Sequence, residues 1–285
     1  MSKRLLLTVL SVLLSTAAPA LATVNITVST SEGIVIAADS RVTYFTEDKG
    51  KGYITRTATD DAQKVFRLGD FVGATYSGKA SIGDRNINSI IQEFRGDNNI
   101  GDTSNTDVTV IAQRLYDFVR EKYLRAFMGT QVEPLELTVS GYDENREKRA
   151  YTIIVSPLGA LKEEIKEFRD FGARWRGQTD VVTRMIKGVD NKLLPKLSDK
   201  SRAEAEKLAY NIPFKYLTLQ DGIDFAIFMI RTSIDMQRFA DGTVGEPGAV
   251  QGVGGPIDVA IITPDGFRWI QKKELRGETP TSSRR

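Results

Sequence analysis

From Val24 the chain alternates apolar and polar residues, Val24, Ile26 and Val28 against Asn25, Thr27 and Ser29. It then turns at Ser31-Glu32-Gly33 into the β-branched run GIVIAAD, Gly33 to Asp39. Alternation predicts a strand with two different faces, and the unbroken run predicts a fully buried one, so the pair reads as a hairpin. A polar stretch from Tyr44 to Asp61, carrying Gly50 and Gly52, predicts a loop or an exposed ribbon. KVFRLGDFVGATYSG, Lys64 to Gly78, predicts a second hairpin turning at Gly69-Asp70.

The period then changes. Ile82, Ile87, Ile90, Ile91 and Phe94 fall near helical spacing, as do Val108, Ile111, Leu115, Phe118 and Val119, and two helices are expected. Strands return in ELTVSGYDENREKRAYTIIVSPLGAL, with a loop at Asp143 to Arg149. Helices follow in TDVVTRMIKG and from Thr218, where Thr-Leu-Gln-Asp offers an acidic capping box. The last element, IDVAIITPDGFRWI, is a hairpin turning at Pro264-Asp265-Gly266. Helices paired between groups of hairpins are not the strand–helix alternation of a parallel sheet. They predict an α+β fold in which two antiparallel sheets pack face to face with helices outside.

The first residues have a different character. Lys3 and Arg4 precede an apolar run from Leu5 to Leu14, and Ala20-Leu21-Ala22 supplies a small-residue site. That is the layout of a secretory signal, cut after Ala22. The run is too short for a spanning helix of about twenty residues. The expected organisation is a signal at 1–22, one domain at 23–275 and a C-terminal tail at 276–285. The protein is expected to be exported, periplasmic or secreted, with no stable membrane span after cleavage and Thr23 as its first residue.

Composition narrows the chemistry. The 39 basic and 37 acidic residues nearly cancel, so no net field points to nucleic acid or an anionic membrane as partner. The chain has neither Cys nor His. That removes disulfides, thiolate nucleophiles and thiolate metal sites, the Ser-His-Asp triad and the HExxH zinc site. No metal and no cofactor is called for. A general base must come from Asp, Glu, Lys, Tyr or a free α-amine.

Four ordered blocks carry a resemblance. TVNITVSTSEGIVIAADSRVT, QKVFRLGDFVGATYSG, SGYDENREKRAYTIIVSPLGAL and GGPIDVAIITPDG resemble the corresponding blocks of proteasome β-type subunits, which are N-terminal nucleophile hydrolases. The spacings from Thr23 to Asp39 and from Lys64 to Gly78 are those of that family. The resemblance implies a four-layer αββα sandwich and a threonine-type peptidase acting on peptide or protein substrates through an acyl-enzyme. It assigns Thr23 as nucleophile with its own α-amine as base, whose pKa of about 7.7 to 8.0 suits that task at neutral pH. Lys64 would stand beside the hydroxyl, Asp39 would pair with Lys64, and Gly78 would donate its N–H to the oxyanion. Thr43 would hold the substrate backbone. Val42, Ala62, Phe66, Tyr76 and Ala80 map to the specificity pocket, and their apolar character implies a hydrophobic substrate side chain. Homo-oligomers, including rings, are what the family implies for assembly.

The chain also departs from the family. The Ser that supports the terminal amine is replaced in Trp175-Arg176-Gly177-Gln178, leaving Arg176, Gly177, Gln178 or Asp241 to substitute. An Asp and a hydroxyl residue expected before the closing strand fall at Val250 and Val253. The loop between Arg41 and Lys64 is longer than its counterpart, and a charged insertion lies between the last two helices. These departures keep two other readings open: an inactive proteasome-fold binding or assembly protein, and an amidase or acylase acting on small amides.

Overall fold

A computed structural model describes residues 23–48, 52–97, 107–130, 132–156, 164–168, 171–190, 192–241 and 251–274. The expected signal, the C-terminal tail and Val250 lie outside the described residues. Strands β1 (Val24–Ser29) and β2 (Ile34–Asp39) form the first hairpin, and β3 (Val42–Asp48) and β4 (Gly52–Thr59) form a separate two-stranded ribbon. Next come β5 (Val65–Arg67), β6 (Val72–Gly78) and a short hairpin of β7 (Ser81–Ile82) and β8 (Arg85–Asn86). Helices α1 (Ile87–Asp97) and α2 (Val108–Phe127) are followed by β9 (Leu135–Tyr142), β10 (Lys148–Val155), β11 (Glu164–Phe168) and β12 (Gly172–Gly177). The chain ends through α3 (Asp180–Lys187), α4 (Asp199–Glu206), α5 (Leu219–Phe239), β13 (Ile257–Thr263) and β14 (Gly266–Gln271).

The strands make two five-stranded sheets, ordered β12-β1-β2-β13-β14 and β11-β10-β9-β6-β5, and every described pairing is antiparallel. Alternation decides which side chains go where. Val24, Ile26 and Val28 join Val35, Ala37, Val259 and Ile261 in a core against α3 and α5. Phe66, Ala74, Tyr76, Leu137 and Ile153 form a second core against α1 and α2. The opposite faces meet between the sheets, giving the expected four layers.

That inner layer is divided. Over β2, β13 and β14 it is apolar, with Ile34, Ile36, Ala260 and Ile262 packed near Phe267 and Trp269. Over β1 and β12 it is polar: Asn25 Nδ2 donates to the Tyr76 carbonyl, and Arg176 Nη2 donates to Thr152 Oγ1 across the gap. Thr27 Oγ1, Thr75 Oγ1 and Ser140 Oγ are buried there without a hydrogen-bond partner among the described residues.

One expected element changes. Residues 81–86 are not the start of a helix; they form the β7–β8 hairpin around Gly83-Asp84, and helix α1 begins at Ile87. Ile82 is buried in the same core as the helix, so its apolar character matched the helical period by coincidence. The capping box at Thr218 is present: Asp221 N–H donates to Thr218 Oγ1 at 3.1 Å, and Thr218 N–H donates to Asp221 Oδ2 at 2.8 Å. The insertion holds α4, and the stretch from Arg41 to Lys64 is the β3–β4 ribbon.

Candidate active site

The site stands at one end of the sandwich, where β1 begins, β2 ends and β5 begins. Lys64 precedes β5 by one residue and is completely buried. Its Nζ donates to Thr23 Oγ1 at 2.8 Å, to Asp39 Oδ1 at 3.0 Å and to the Arg41 carbonyl. Three acceptors match the three protons of an ammonium. Burial holds Lys64 below its ordinary pKa, and the Asp39 carboxylate opposes that effect.

Asp39 is itself buried and fully engaged. Its Oδ1 also accepts from Val24 N–H at 2.9 Å, and its Oδ2 accepts from Arg41 N–H at 3.1 Å and Gly254 N–H at 3.0 Å. The acid therefore ties together the first strand, the turn after the second and the segment before β13. That last segment includes Val253, where the resemblance led us to expect a hydroxyl residue. Here it contributes main chain instead: Gly254 N–H to Asp39 and the Gln251 carbonyl to Thr43 Oγ1 at 3.3 Å. Val253 is buried, and its N–H donates to Gln237 Oε1 at 3.0 Å.

Thr23 is 1% exposed, so its hydroxyl lies within the protein rather than at a free end of the strand. Gln178 N–H donates to the Thr23 carbonyl at 2.6 Å. Gly177 makes this approach feasible, since a Cβ there would lie 1.9 Å from the Thr23 carbonyl oxygen, and its φ of +85° is unfavourable for other residues. Gly78 is constrained in the same way, with φ +80° and a would-be Cβ 2.2 Å from the Pro134 carbonyl oxygen.

The structure thus joins Thr23, Asp39 and Lys64 directly. Gly78 ends β6, two residues beyond Tyr76. Phe66 and Tyr76 are stacked with ring centroids 6.2 Å apart and are 1% and 3% exposed. Val42 is buried, and Ala62 and Ala80 are half-buried. Burial pushes the Tyr76 phenol above its ordinary pKa, with Tyr44 and Asp39 adding to the effect. Asp241 is exposed just beyond α5.

Sequence reasoning missed the ion pair of Arg41 and Asp60, in which Nε and Nη2 donate to the two carboxylate oxygens at 2.7 and 2.9 Å. Arg41 holds the Asp60 carboxyl below its ordinary pKa. The pair ties the turn after β2, which supplies the Lys64 acceptor, to the foot of the β3–β4 ribbon. Only its Arg was visible, as the residue completing the AADSR block.

A family model for proteasome subunits matches residues 21–165, just over half of the chain. The chain belongs to the proteasome subunit family. The matched span of this proteasome-family protein contains Thr23, Asp39, Lys64 and Gly78. It ends before Arg176 to Gln178 and before residues 250–254, where the motif departures lie. No curated protein matches the chain. Among the described residues no helix is long and apolar enough to cross a membrane, and no group of three or more Asp or Glu could hold a metal ion.

Proposed function

We propose that the protein is an exported threonine hydrolase that cleaves peptide bonds through an ester on Thr23, once residues 1–22 have been removed. The observation that carries this reading is a fully buried lysine 2.8 Å from the hydroxyl of Thr23, the residue that follows Ala20-Leu21-Ala22, the sequence that reads as a signal cleavage site. Burying a cation is costly unless something needs it there. Thr23 Oγ gains an anion-stabilising neighbour that lies in reach of no other hydroxyl nucleophile among the described contacts.

Removal of Ala22 turns the Thr23 nitrogen into a free amine. All three Lys64 protons have acceptors, so the amine is the group left to accept the hydroxyl proton. Thr23 Oγ attacks the substrate carbonyl, its proton passes to the amine, and the oxyanion is held by Gly78 N–H and the Lys64 field. The amine returns the proton to the leaving nitrogen as the C–N bond breaks, leaving an ester. Water then attacks the ester, the amine takes its proton, and Thr23 Oγ leaves with that proton to release the acid.

Thr43 would hold the substrate backbone, and Val42, Ala62, Phe66, Tyr76 and Ala80 would receive its side chain. Phe66 and Tyr76 already pack into the α1–α2 core, which favours a small residue on the acyl side. The protein would act in the periplasm or outside the cell as a homo-oligomer, a ring being the assembly typical of the family. Thr23→Ala should fold as the parent does and lose all turnover of peptide substrates. Turnover retained in that variant would defeat the proposal.

A further inference from the structure

We infer that Gln178 is the receptor for the Thr23 amine, a buried acceptor without a partner among the described residues that pairs when cleavage turns the Thr23 amide, with its single N–H, into an ammonium with three. This deepens the hydrolase reading and rests on its claim that the chain comes to begin at Thr23. Gln178 is 9% exposed, and its Oε1 is buried with no hydrogen-bond partner among the described residues. Leaving a buried amide oxygen unpaired costs more than a typical hydrogen bond contributes, and such a group calls for an explanation.

Position supplies one. Val24 lies opposite Gly177 in the β1–β12 pairing, and Gln178 N–H bonds to the Thr23 carbonyl, so Gln178 faces Thr23 one step beyond the end of the ladder. Arg176 sends its guanidinium between the sheets to Thr152, and by strand alternation Gln178 shares that side. Asn25, two residues after Thr23, also points there, toward Tyr76. Side chains directly opposite each other on one face of an antiparallel pair approach within about 5 Å. The Thr23 nitrogen is bonded to the Cα that faces Gln178 across the pair, so the flexible Gln178 side chain can reach it with its unused carbonyl oxygen.

The alternatives at this corner are weaker. Arg176 carries the same sign of charge as an ammonium, and one of its nitrogens is engaged with Thr152. Gly177 has no side chain to offer. Ser77 lies close by, since a Cβ on Gly177 would be 3.3 Å from its Cβ, but its hydroxyl is drawn toward Glu136 at 3.5 Å. Gln178 acts as a positioning residue: it orients the amine toward the Thr23 hydroxyl and tunes its basicity. The charged groups at this corner are Lys64, bonded to the Thr23 hydroxyl, Asp39, which accepts from Lys64 and Val24, Arg176 opposite Asn25, the Arg41–Asp60 pair, and Glu136 beside Ser77. They stay constant when only position 178 is changed.

The test is a titration of the amine itself. Protein prepared to begin at Thr23 and labelled with 13C-threonine reports its α-amine pKa through the Thr23 Cα shift, whether or not the enzyme turns over. Gln178→Met removes the acceptor at constant shape and should lower that pKa by about one pH unit, while Gln178→Glu should raise it by at least as much. The acidic limb of peptide hydrolysis should move in the same two directions, with kcat falling about tenfold in the Met variant. An amine pKa unchanged by both variants, or moved the same way by both, overturns the assignment. Parent protein that shows a shifted amine but no hydrolysis would instead count against the hydrolase reading and leave the Gln178 assignment standing.

Discussion

Asp39 and Lys64 are both buried, yet losing one should not cost what losing the other costs. In Asp39→Asn the Lys64 ammonium loses its opposing charge, and the single amide oxygen can serve only one of the two donor pairs that the carboxylate accepted, Lys64 with Val24 or Arg41 with Gly254. The new NH2 group also faces two donors that the carboxylate accepted. Removing one partner of a buried ion pair costs about 3–5 kcal/mol. In Lys64→Met the carboxylate keeps three backbone donors, Val24, Arg41 and Gly254, and the methionine fills the space of the lysine stem. That change should cost about 1–3 kcal/mol, the loss of a charged hydrogen bond already partly compensated.

The double variant should cost about 2 kcal/mol less than the sum of the singles, because each single leaves a group that the other removes. Urea unfolding with an unchanged m-value measures all three. The sign with pH is also fixed. A lysine whose folded pKa lies below 10.5 binds fewer protons folded than unfolded, so stability rises with pH above the folded value. Without Asp39 to oppose burial that window widens downward, and the Asp39→Asn deficit should be larger at pH 6 than at pH 9. A Lys64→Met variant as damaged as Asp39→Asn, or costs that simply add, would refute the asymmetry.

Three further outcomes follow from the geometry. Gly177→Ala places a Cβ against the Thr23 carbonyl at positive φ and should lose at least about 1 kcal/mol in thermal unfolding, with a larger loss of hydrolysis because Thr23 itself is displaced. Burial lifts Glu133 from 4.5 to about 8, with Glu136 adding and Lys79 opposing. Its contribution is then fully present below pH 4.5 and lost as pH rises toward 8, about 1.4 kcal/mol per pH unit in between, and Glu133→Gln should remove that slope. Peptides with Gly or Ala on the acyl side of the scissile bond should outrun those with Leu or Phe, and Tyr76→Val should reverse the order; an unchanged ranking would place the pocket elsewhere.

Much of this was legible because it is written in local patterns. The β1–β2 hairpin, the α5 cap and the final hairpin each carry their own signal of period, turn and cap. Asp39 and Lys64 were legible through spacing, and their meeting at 3.0 Å follows from two hairpins stacked in facing sheets. What was hidden depends on register. Nothing in Trp175-Arg176-Gly177-Gln178 says which side chain faces Thr23; the Val24–Gly177 pairing does. The main-chain donor of Gly254 has no residue signature, since any residue carries an N–H. The pocket positions read as apolar, and that the Phe66 and Tyr76 rings are stacked and buried in the core against α1 and α2 is set by tertiary packing that composition alone does not reveal.

Whether Thr23 becomes an N-terminal nucleophile is decided by one mass measurement. Protein recovered from the exported fraction is weighed intact before and after exposure to a peptide epoxyketone, a reagent that consumes both a hydroxyl and a neighbouring free amine, and the adduct is mapped. The expected result is a chain beginning at Thr23 that gains one adduct on that residue, and no adduct when Thr23 is replaced by Ala. A chain that begins at Thr23 and stays unmodified, or one that keeps its first 22 residues, would contradict it.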